Sequence, residues 1–395
     1  MIETVKLGDV ATVKGGKRLP KGTNLITTPN SHPYIRVRDL NNQSTLELND
    51  DFEYVDDETQ KSISRYVVGA GDIVLSIVGT IGLVAIVGES LHKANLTENC
   101  VKLTQLDGVD RNYLYYFLKS GLGQAEIAKG TVGAVQAKLP IKNIQDIDVV
   151  VPDISTQQKI SSILRSIDEK ISTNQKINDN LYEMGNAYYA SLFKDIECEM
   201  TTIGNYAERI YSGGTPTTSN TAYWDGAFGW FSSGETRNRF VISTEKTITQ
   251  AGIDNSSTKL AVKHDIVMAS AGQGFTRGQT SMLLIDTYVN QSVIVIHANR
   301  NVLPYLFWNL ANRYEELRAI SDSSSIRGSL TTKMIAAFEI PLANKESLQA
   351  FSDFSWSVIP QIENNLLENE RLVALRDTLL PKLMSGEIDV SAIQI

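Results

Sequence analysis

The sequence is poor in the features that mark secreted and membrane proteins. It has only two cysteines, Cys100 and Cys198, which excludes a disulfide scaffold, and we expect both to be reduced thiols. No stretch approaches the roughly 18 consecutive apolar residues that a membrane-spanning helix requires. The first residues show no basic region followed by an apolar run, so no secretory signal is readable. These absences predict a cytoplasmic protein.

The motifs of common catalytic sites are missing as well. The chain has no Gly-x-x-x-x-Gly-Lys-Ser/Thr phosphate loop, no Gly-x-Ser-x-Gly elbow, no Cys-x-x-Cys pair and no Asn/Asp-Pro-Pro-Tyr segment of the kind that amino-methyltransferases use. Its four histidines, His32, His92, His264 and His297, stand singly, which argues against a metal site and against a His-based triad. We therefore expect a chain that is not an enzyme and that holds no cofactor or metal of its own.

The chain has no excess of positive charge either. Its net charge is −8, divided as −2 for residues 1–152, −3 for 153–199, +1 for 200–341 and −4 for 342–395. A protein that binds nucleic acid by bulk attraction is basic. Any contact with DNA must therefore come from local patches in the two nearly neutral segments, with help from partner proteins.

The chain does contain a long internal repeat. The second copy begins about 196 residues after the first, which indicates a duplicated domain plus helix and not a short-repeat solenoid. Two copies of one unit predict pseudo-twofold symmetry and a bipartite or twofold partner. The matching segments are Leu7-Gly8 with Ile203-Gly204, Gly15-Gly16 with Gly213-Gly214, Gly71–Ser76 with His264–Ala269, Tyr113-Leu114 with Tyr305-Leu306, and Val150–Pro152 with Glu339–Pro341.

Each copy ends in a segment whose apolar residues alternate at spacings of three and four, which is typical of a coiled-coil seam. Ile163, Ile177 and Met184 widen the stripe, which predicts additional contact with a globular domain. Asparagines at two seam places in each segment either fix the register of the pair or are solvated where the helices diverge. The predicted seam consists of Ile160, Leu164, Ile167, Ile171, Asn174, Asn178 and Leu181, and of Val358, Ile362, Asn365, Asn369, Leu372 and Leu379.

Both helices are predicted to follow a proline that ends a strand, Pro152 and Pro341, and Ser155 with Gln158 has capping-box spacing. A helix over 156–193 would be about 57 Å long. Such a helix needs a partner, because its own propensity does not stabilise it. The simplest partner is the other copy, in an antiparallel pair. Alternatively, each helix packs on its own domain.

The two globular segments show mixed, strand-rich patterns. Short β-branched runs around Gly79 and Gly82 predict a hairpin, and further strands are predicted at 99–103, 147–151, 291–296 and 337–340. The aromatic residues at 113–117 form either a stacking platform or the core face of a helix. We predict an α+β fold with two repeated strand-rich α/β domains, 1–152 and 200–341. Two long helices, 153–199 and 342–395, separate them and form an antiparallel coiled coil with pseudo-twofold symmetry.

Three groups of residues resemble the specificity (S) subunit of type I restriction-modification systems. The resemblance covers essentially the whole chain in the order domain, helix, domain, helix. One departure is Lys14-Gly15-Gly16-Lys17-Arg18 in the first domain, where the second has Ser212-Gly213-Gly214-Thr215-Pro216. The resembling segments are Tyr211–Pro216 with Tyr223-Trp224 and Gly229-Trp230, then Leu379–Ile388, and Val151-Pro152 with Gln157–Ile160.

The resemblance implies a DNA-recognition subunit without catalytic residues. Each domain would be a target recognition domain that reads one half of a bipartite target in double-stranded DNA, and the coiled coil would set the spacer. Two modification subunits, which bind S-adenosylmethionine and methylate adenine N6, would dock on it. Two restriction subunits that use ATP and Mg²⁺ would join them in a cleaving system.

Candidate DNA contacts are side chains that suit phosphates or base edges and that lie in loops rich in Gly and Pro or on one face of a strand. Arg36 and Arg38 are predicted to alternate on such a strand face. The candidates are Lys17, Arg18, Lys21, Arg36, Arg38, Gln136 and Lys138 in the first domain, and Thr215, Arg237, Arg239, Arg277 and Arg327 in the second.

Three other functions stay open on the sequence. The first is an orphan specificity subunit that guides methylation only. The second is a coiled-coil scaffold with duplicated ligand-binding domains that does not bind DNA, and the third is an enzyme. The scaffold leaves the Ser-Gly-Gly-Thr-Pro and Leu-Leu-Pro-Lys-Leu motifs unexplained, and the missing catalytic motifs argue against the enzyme.

Overall fold

The computed structural model describes residues 3–40, 44–193, 199–272, 275–323 and 328–393. Cys198 and Arg327 lie outside the described residues. The chain packs as two compact units: unit 1 comprises residues 1–171 and 371–395, and unit 2 comprises residues 172–370. Each unit therefore contains one globular segment and a part of both long helices. In the described part of the chain, no helix combines the length and the apolar character needed to cross a membrane.

The globular segment of unit 1 is built on three sheets. Its large sheet has the strand order Thr12–Gly15, Cys100–Thr104, Ile73–Ser76, Val84–Val87 and Thr45–Leu46. Its small sheet has the order Glu53–Tyr54, Pro33–Ile35 and Asn95–Leu96, and Glu3–Lys6 pairs with Asp148–Val151. The helices are Leu7–Val10, Asp57–Ile63, Arg111–Lys119, Gly121–Gly130 and Ile141–Gln145, with 3-10 turns at Val37–Asp39 and Glu89–Leu91.

The globular segment of unit 2 repeats this plan. Its large sheet has the order Ala207–Ser212, Val293–Ala298, Ile266–Ala269, Thr280–Leu283 and Phe240–Val241. Its small sheet has the order Lys246–Ile248, Trp224–Phe231, Thr287–Val289 and Lys259–Ala261, and Met200–Thr202 pairs with Glu339–Pro341. The helices are Ile203–Tyr206, Gln250–Asp254, Leu303–Ala311, Tyr314–Ser323 and Thr332–Ala336, with 3-10 turns at Thr221–Tyr223 and Ser233–Arg237.

The repeated Asp-Ile-Val segment has a structural role in both units. The side chain of Asp72 accepts a hydrogen bond from the backbone N–H of Gly69 at 2.8 Å. Asp265 accepts one from Val262 at 3.0 Å. In each case the aspartate closes the turn that leads into a central, fully buried strand of the large sheet. The duplication therefore preserves a turn that fixes where this strand begins.

The aromatic helix of unit 1 belongs to the core. Tyr113, Tyr115, Tyr116 and Phe117 are all buried, so the core interpretation is confirmed and the stacking platform is wrong. Cys100 is also buried, and burial raises the pKa of its thiol to about 12. A thiol with this pKa is inert at neutral pH, since the thiolate is the reactive form.

The two long helices span Ile154–Phe193 and Lys345–Met384, with 40 residues each. Each begins shortly after the predicted proline. The first is capped by the side chain of Asp153, which accepts from the N–H of Thr156 at 3.0 Å, and not by the predicted Ser155. The second is capped in the same way by Asn344, which accepts from Ser347 at 2.8 Å.

In unit 1 the two helices pair in antiparallel fashion. Ile160 and Leu164 of the first helix share an apolar cluster with Leu383 and Met384 of the second. Further along, Arg376 donates to Asp168 at 2.8 Å. Residue numbers thus rise on one helix as they fall on the other, which confirms the antiparallel pair.

Unit 2 shows the same pairing through asparagines. Asn174 and Asn369 are buried and joined by a 2.9 Å hydrogen bond between their side chains. Asn365 donates to Asn178 at 2.8 Å. These contacts favour the register-fixing interpretation over solvated asparagines, because a buried amide that lacks its partner costs stability.

All thirteen predicted seam residues are buried or half-buried. The helices also pack on the globular segments, as Tyr182 stacks on Trp308 at 5.8 Å in unit 2. The predicted widening of the stripe is correct for Ile163, which packs against the unit 1 core. It is wrong for Ile177 and Met184, which are exposed. Periodicity identified the seam but not the outer limits of the buried face.

We predict that Arg376→Ala destabilises unit 1. Asp168 is mostly buried and accepts from Arg376 and from the hydroxyl of Tyr116 at 2.7 Å. Loss of the arginine leaves the carboxylate without its cation, which costs about 2–3 kcal/mol at this degree of burial. Chemical denaturation measures the change. The control Arg165→Ala breaks an exposed pair with Glu169 and should cost under about 0.5 kcal/mol; equal losses for the two variants would contradict the prediction.

Candidate nucleic-acid interface

Several loops meet at one end of the large sheet in unit 1. The loop that follows Thr12–Gly15 lies beside the turn that precedes Cys100–Thr104, because the N–H of Gly16 donates to the carbonyl of Cys100 at 3.0 Å. Ile77 donates to the carbonyl of Asn99 at 2.8 Å, and Leu139 donates to that of Ile77 at 2.9 Å. These bonds bring the exposed loop 132–138 to the same end. Of the predicted contacts, Lys17, Arg18, Gln136 and Lys138 are therefore gathered there, all exposed.

The loops that follow the strands Thr12–Gly15 and Ala207–Ser212, called the glycine loops below, have similar backbone contacts in the two units. A Cβ at Gly16 would overlap the carbonyl oxygens of Thr97 and Leu96, and a Cβ at Gly213 would overlap that of Val289, which is equivalent to Leu96 in the strand register. Only glycine permits this approach of one backbone to another. Gly16 is therefore the equivalent of Gly213, which corrects the predicted alignment of Gly15-Gly16 with Gly213-Gly214 by one residue.

An aromatic side chain anchors each glycine loop from below. The hydroxyl of Tyr34 donates to the carbonyl of Lys17 at 2.8 Å. The indole Nε1 of Trp230 donates to the carbonyl of Gly214 at 3.2 Å. Lys17 and Gly214 are thus equivalent, and the next residues, Arg18 and Thr215, occupy the same place in the two units.

Arg36 and Arg38 lie after a strand and not within it, since the strand ends at Ile35. Arg36 is only 14% exposed and is paired with Asp39 at 2.9 Å and with Glu53. Arg38 is 65% exposed and reaches Glu53 at 2.8 Å. The predicted strand face is wrong. Arg36 has a structural role in this turn, and Arg38 stays accessible.

The turn in which these arginines lie is also repeated. The backbone N–H of Arg36 donates to Asp39 at 2.7 Å, and that of Ser232 donates to Glu235 at 2.7 Å. Each turn follows an inner strand of the small sheet, Pro33–Ile35 in unit 1 and Trp224–Phe231 in unit 2. The duplicated domains therefore share the backbone framework around the loops while the side chains differ.

The second domain holds its predicted arginines in different ways. Arg237 is exposed and pairs with Glu245. The guanidinium of Arg239 lies 3.6 Å from the ring centroid of Tyr182 on the first long helix. Arg277 is buried and paired with Asp322, which places it inside the domain and favours a structural role. Thr215 donates to the side chain of Gln291 at the end of the glycine loop.

The remaining predicted contacts of the first domain are exposed. Lys21 lies in the turn after the glycine loop. Lys17 lies 5.4 Å from the ring centroid of Tyr66, and Arg18 is 83% exposed and 2.8 Å from Glu98. Glu98 and its equivalent Gln291 were missed by sequence reasoning. Glu98 and Gln291 are identified by the residue-by-residue alignment of the two repeats, which the strand pairing provides.

A groove in unit 2 carries two further cations that the sequence did not single out. It has a volume of about 530 Å³ and lies between Arg209 and Tyr211 on one side and Lys259 and Leu260 on the other. Arg209 lies 6.0 Å and Lys259 5.7 Å from the ring centroid of Tyr211. Both cations are exposed, which makes this groove a positive surface next to the glycine loop.

A hydrogen-bonded pair of His297 and the buried Asp265 lies beside this surface. Asp265 is buried, which raises the pKa of its carboxyl, whereas the hydrogen bond from His297 Nδ1 at 2.6 Å lowers it. The equivalent aspartate in unit 1, Asp72, faces Lys102 at 3.3 Å. Among the described residues, no group of three or more His, Cys, Asp or Glu is arranged to hold a metal ion. The hydrogen bonds of Asp265 to Val262 and His297 give it a structural role in the turn before the buried strand Ile266–Ala269.

Comparison with known families decides what the two domains are. A family model described as "Type I restriction modification DNA specificity domain" matches residues 2–183 and again residues 197–369. The chain belongs to this family. It is a specificity subunit with two DNA-recognition domains, as the repeat and the motifs predicted, and specificity subunits of this family are non-catalytic.

One known relative aligns with nearly the whole chain and another with about two thirds of it. The specificity subunit of the type I restriction enzyme MjaIX from Methanocaldococcus jannaschii is 21% identical over 406 residues, which covers 98% of this chain and 93% of the relative. That of the enzyme HindI from Haemophilus influenzae is 20% identical over 329 residues, 64% of this chain and 71% of the relative.

A solved structure supports the fold. The type I restriction-modification S subunit from M. genitalium covers 97% of this chain and 96% of its own at 17% identity, with a TM-score of 0.60. The predicted fold class, repeated strand-rich domains with two long antiparallel helices, is confirmed. The pseudo-twofold arrangement of the domains stays a prediction.

Proposed function

We propose that each globular segment of this subunit reads one half of a bipartite target in double-stranded DNA, and that the paired helices set the spacing between the halves. The observation that carries the proposal is the shared loop framework with exchanged side chains. Tyr34 and Trp230 anchor the same loop position in the two segments. Two copies that present different side chains from one framework suit the reading of two different half-sites.

The proposed partners rest on the family to which the chain belongs. In our proposal two modification subunits, which bind S-adenosylmethionine and methylate adenine N6, assemble with this chain in the cytoplasm. Two restriction subunits that use ATP and Mg²⁺ join them in a system that cleaves DNA. A methylation-only system is the second candidate. A map of N6-methyladenine in cells that carry the system should show a bipartite motif; methylation without sequence dependence would contradict the proposal.

The proposed DNA contacts are the accessible members of the predicted set. They suit phosphates and base edges because they carry donors on exposed loops. Arg36 and Arg277 are held by internal ion pairs and are better explained as structural residues. Arg239 is exposed, but its guanidinium lies over the ring of Tyr182, and we assign it to the contact with the first long helix. The proposed contacts are Lys17, Arg18, Lys21, Arg38, Gln136, Lys138, Thr215 and Arg237, and Arg327 stays in the predicted set.

We predict that the isolated chain binds DNA weakly. Its net charge is −8, and several of its exposed arginines are paired with carboxylates, as Arg18 is with Glu98 and Arg237 with Glu245. DNA phosphates must compete with these partners. The modification subunits should raise the affinity and create the sequence preference. A mobility-shift titration measures both, and tight, specific binding by the chain alone would contradict this division of labour.

The groove in unit 2 should contribute contacts to the DNA backbone. We predict that Arg209→Gln with Lys259→Gln weakens binding of the complex to all sequences equally. The slope of log K against log salt should fall by about 0.9 for each lost phosphate contact. Lys345→Gln, at the start of the second long helix, is a control for the loss of an exposed charge. An unchanged slope in the double variant would exclude the groove from the interface.

A further inference from the structure

One side-chain contact occurs at equivalent positions in both domains but is made by different residue types. Lys17 donates to the carbonyl of Leu96 at 2.8 Å, and Gly214 donates to that of Val289 at 3.0 Å. Leu96 and Val289 are themselves equivalent, because each lies in the small sheet beside the same inner strand, in parallel register. This fixes the alignment of the two loops residue by residue.

The next residue of each loop faces a side chain two positions beyond that strand residue. In unit 1 Arg18 Nε donates to Glu98 Oε1 at 2.8 Å. In unit 2 Thr215 Oγ1 donates to Gln291 Oε1. The alignment makes Arg18 equivalent to Thr215 and Glu98 equivalent to Gln291. The same contact is therefore built from an arginine and a carboxylate in one domain and from a hydroxyl and an amide in the other.

The surroundings of this pair are retained. Below it, the glycine that permits the close approach is present in both loops, at Gly16 and Gly213. The side-chain donor to the loop carbonyl is Tyr34 in one domain and Trp230 in the other. In a duplicated DNA-reading domain, the backbone framework must be kept while the residues that distinguish bases must change. Here the framework is kept in both domains, and the residues of this pair differ.

The pair is also accessible. Arg18 is 83% exposed and Glu98 32%. Gln291 is exposed and Thr215 is half-buried. Both pairs lie at the end of the large sheet where the loops gather. A base edge can therefore meet them without rearrangement of the backbone.

We propose that Arg18 with Glu98, and Thr215 with Gln291, are equivalent specificity-determining pairs of the two domains. Arginine donates to the O6 and N7 acceptors of guanine and glutamate accepts from the N4 amino group of cytosine, so the first pair suits a G·C base pair. Glutamine bonds in bidentate fashion to adenine and threonine contacts the thymine methyl group, so the second suits an A·T base pair. The assignment rests on the proposed function.

The test exchanges the pairs. The complex with modification subunits is prepared with Arg18→Thr and Glu98→Gln together, and separately with Thr215→Arg and Gln291→Glu together. Methylation mapping should show one base pair changed from G·C to A·T in the half-site of domain 1 for the first variant. The reciprocal change should occur in the half-site of domain 2 for the second. The control Glu58→Gln with Lys61→Gln removes the same two charges from an exposed helix and should change nothing.

A second measurement applies when the complex with an exchanged pair no longer methylates DNA at any sequence. Binding of each complex to a duplex library with one randomised half-site should lose preference at one position, by about 5- to 150-fold. An equal fall at every position, or an unchanged half-site, would overturn the assignment while leaving the proposed function intact. Changes in both half-sites from one exchange, or methylation without any motif, would instead remove the proposed function.

Discussion

Replacement of residues 200–341 by the same region of a relative with another target should yield a subunit with a new second half-site only. The half-site read by residues 1–152 and the spacer should both be kept. The physical reason is that this segment has its own sheets, a buried apolar cluster of its own and a complete set of loops, from the glycine loop to the turn at Ser233–Arg237. Methylation mapping of the hybrid, assembled with modification subunits, gives the result directly.

The hybrid requires a junction that leaves the core intact. Phe193 is buried at the end of the retained first helix, and Ile203 and Ile340 are buried near the two ends of the exchanged region. Retention of both long helices keeps Tyr182. Its stacking contact is preserved when the donor segment has an aromatic residue at the place of Trp308. A hybrid whose map changed in both halves, or in neither, would show that the segments are not independent readers.

Removal of one facing heptad from the two long helices should shorten the spacer. The pairs Asn174–Asn369 and Asn178–Asn365 show that 172–178 face 365–371. Deletion of both segments removes all four asparagines together, so no buried amide loses its partner. Seven residues at 1.5 Å per residue are about 10 Å, which is about three base pairs at 3.4 Å each.

The deletion changes the rotational phase of the half-sites along with their distance. We therefore expect either a spacer about three base pairs shorter or loss of methylation, since about three base pairs turn the duplex by nearly a third of its 10.5-base-pair period. A deletion in one helix alone is the control, because it leaves an unmatched heptad and should abolish assembly. An unchanged spacer in the matched deletion would refute the helices as the ruler.

The sequence predicted much of the fold because the relevant signals are local. Short β-branched runs around Gly79 and Gly82 predicted the hairpin that contains Ile73–Ser76 and Val84–Val87. Seam spacing predicted the positions of both long helices, although the second ends at Met384, 11 residues before the predicted end at 395. Hydrophobic periodicity is imposed by the geometry of the element itself, so it can be read without knowledge of the rest of the chain.

The site could be predicted only in outline. Donor-rich loops were correctly located, but which of their cations are accessible depends on residues far away in the sequence. Arg18 meets Glu98, which lies 80 residues away, and Arg277 meets Asp322 inside the domain. Arg239 lies on the ring of Tyr182 in a helix that precedes the domain. None of these partners has a signature in the local pattern.

By itself, the sequence determined the duplication, the order of domain and helix, and the family. These follow from periodicity and from motifs, which are properties of neighbouring residues. Only the tertiary structure decided the residue-by-residue alignment of the two glycine loops, in which Gly16 matches Gly213 and Arg18 matches Thr215. That alignment is set by backbone hydrogen bonds between strands that are distant in the chain, such as those to Leu96 and Val289. A one-residue shift leaves the composition of a loop unchanged but moves every side chain to another place, and strand pairing is the physical constraint that excludes it.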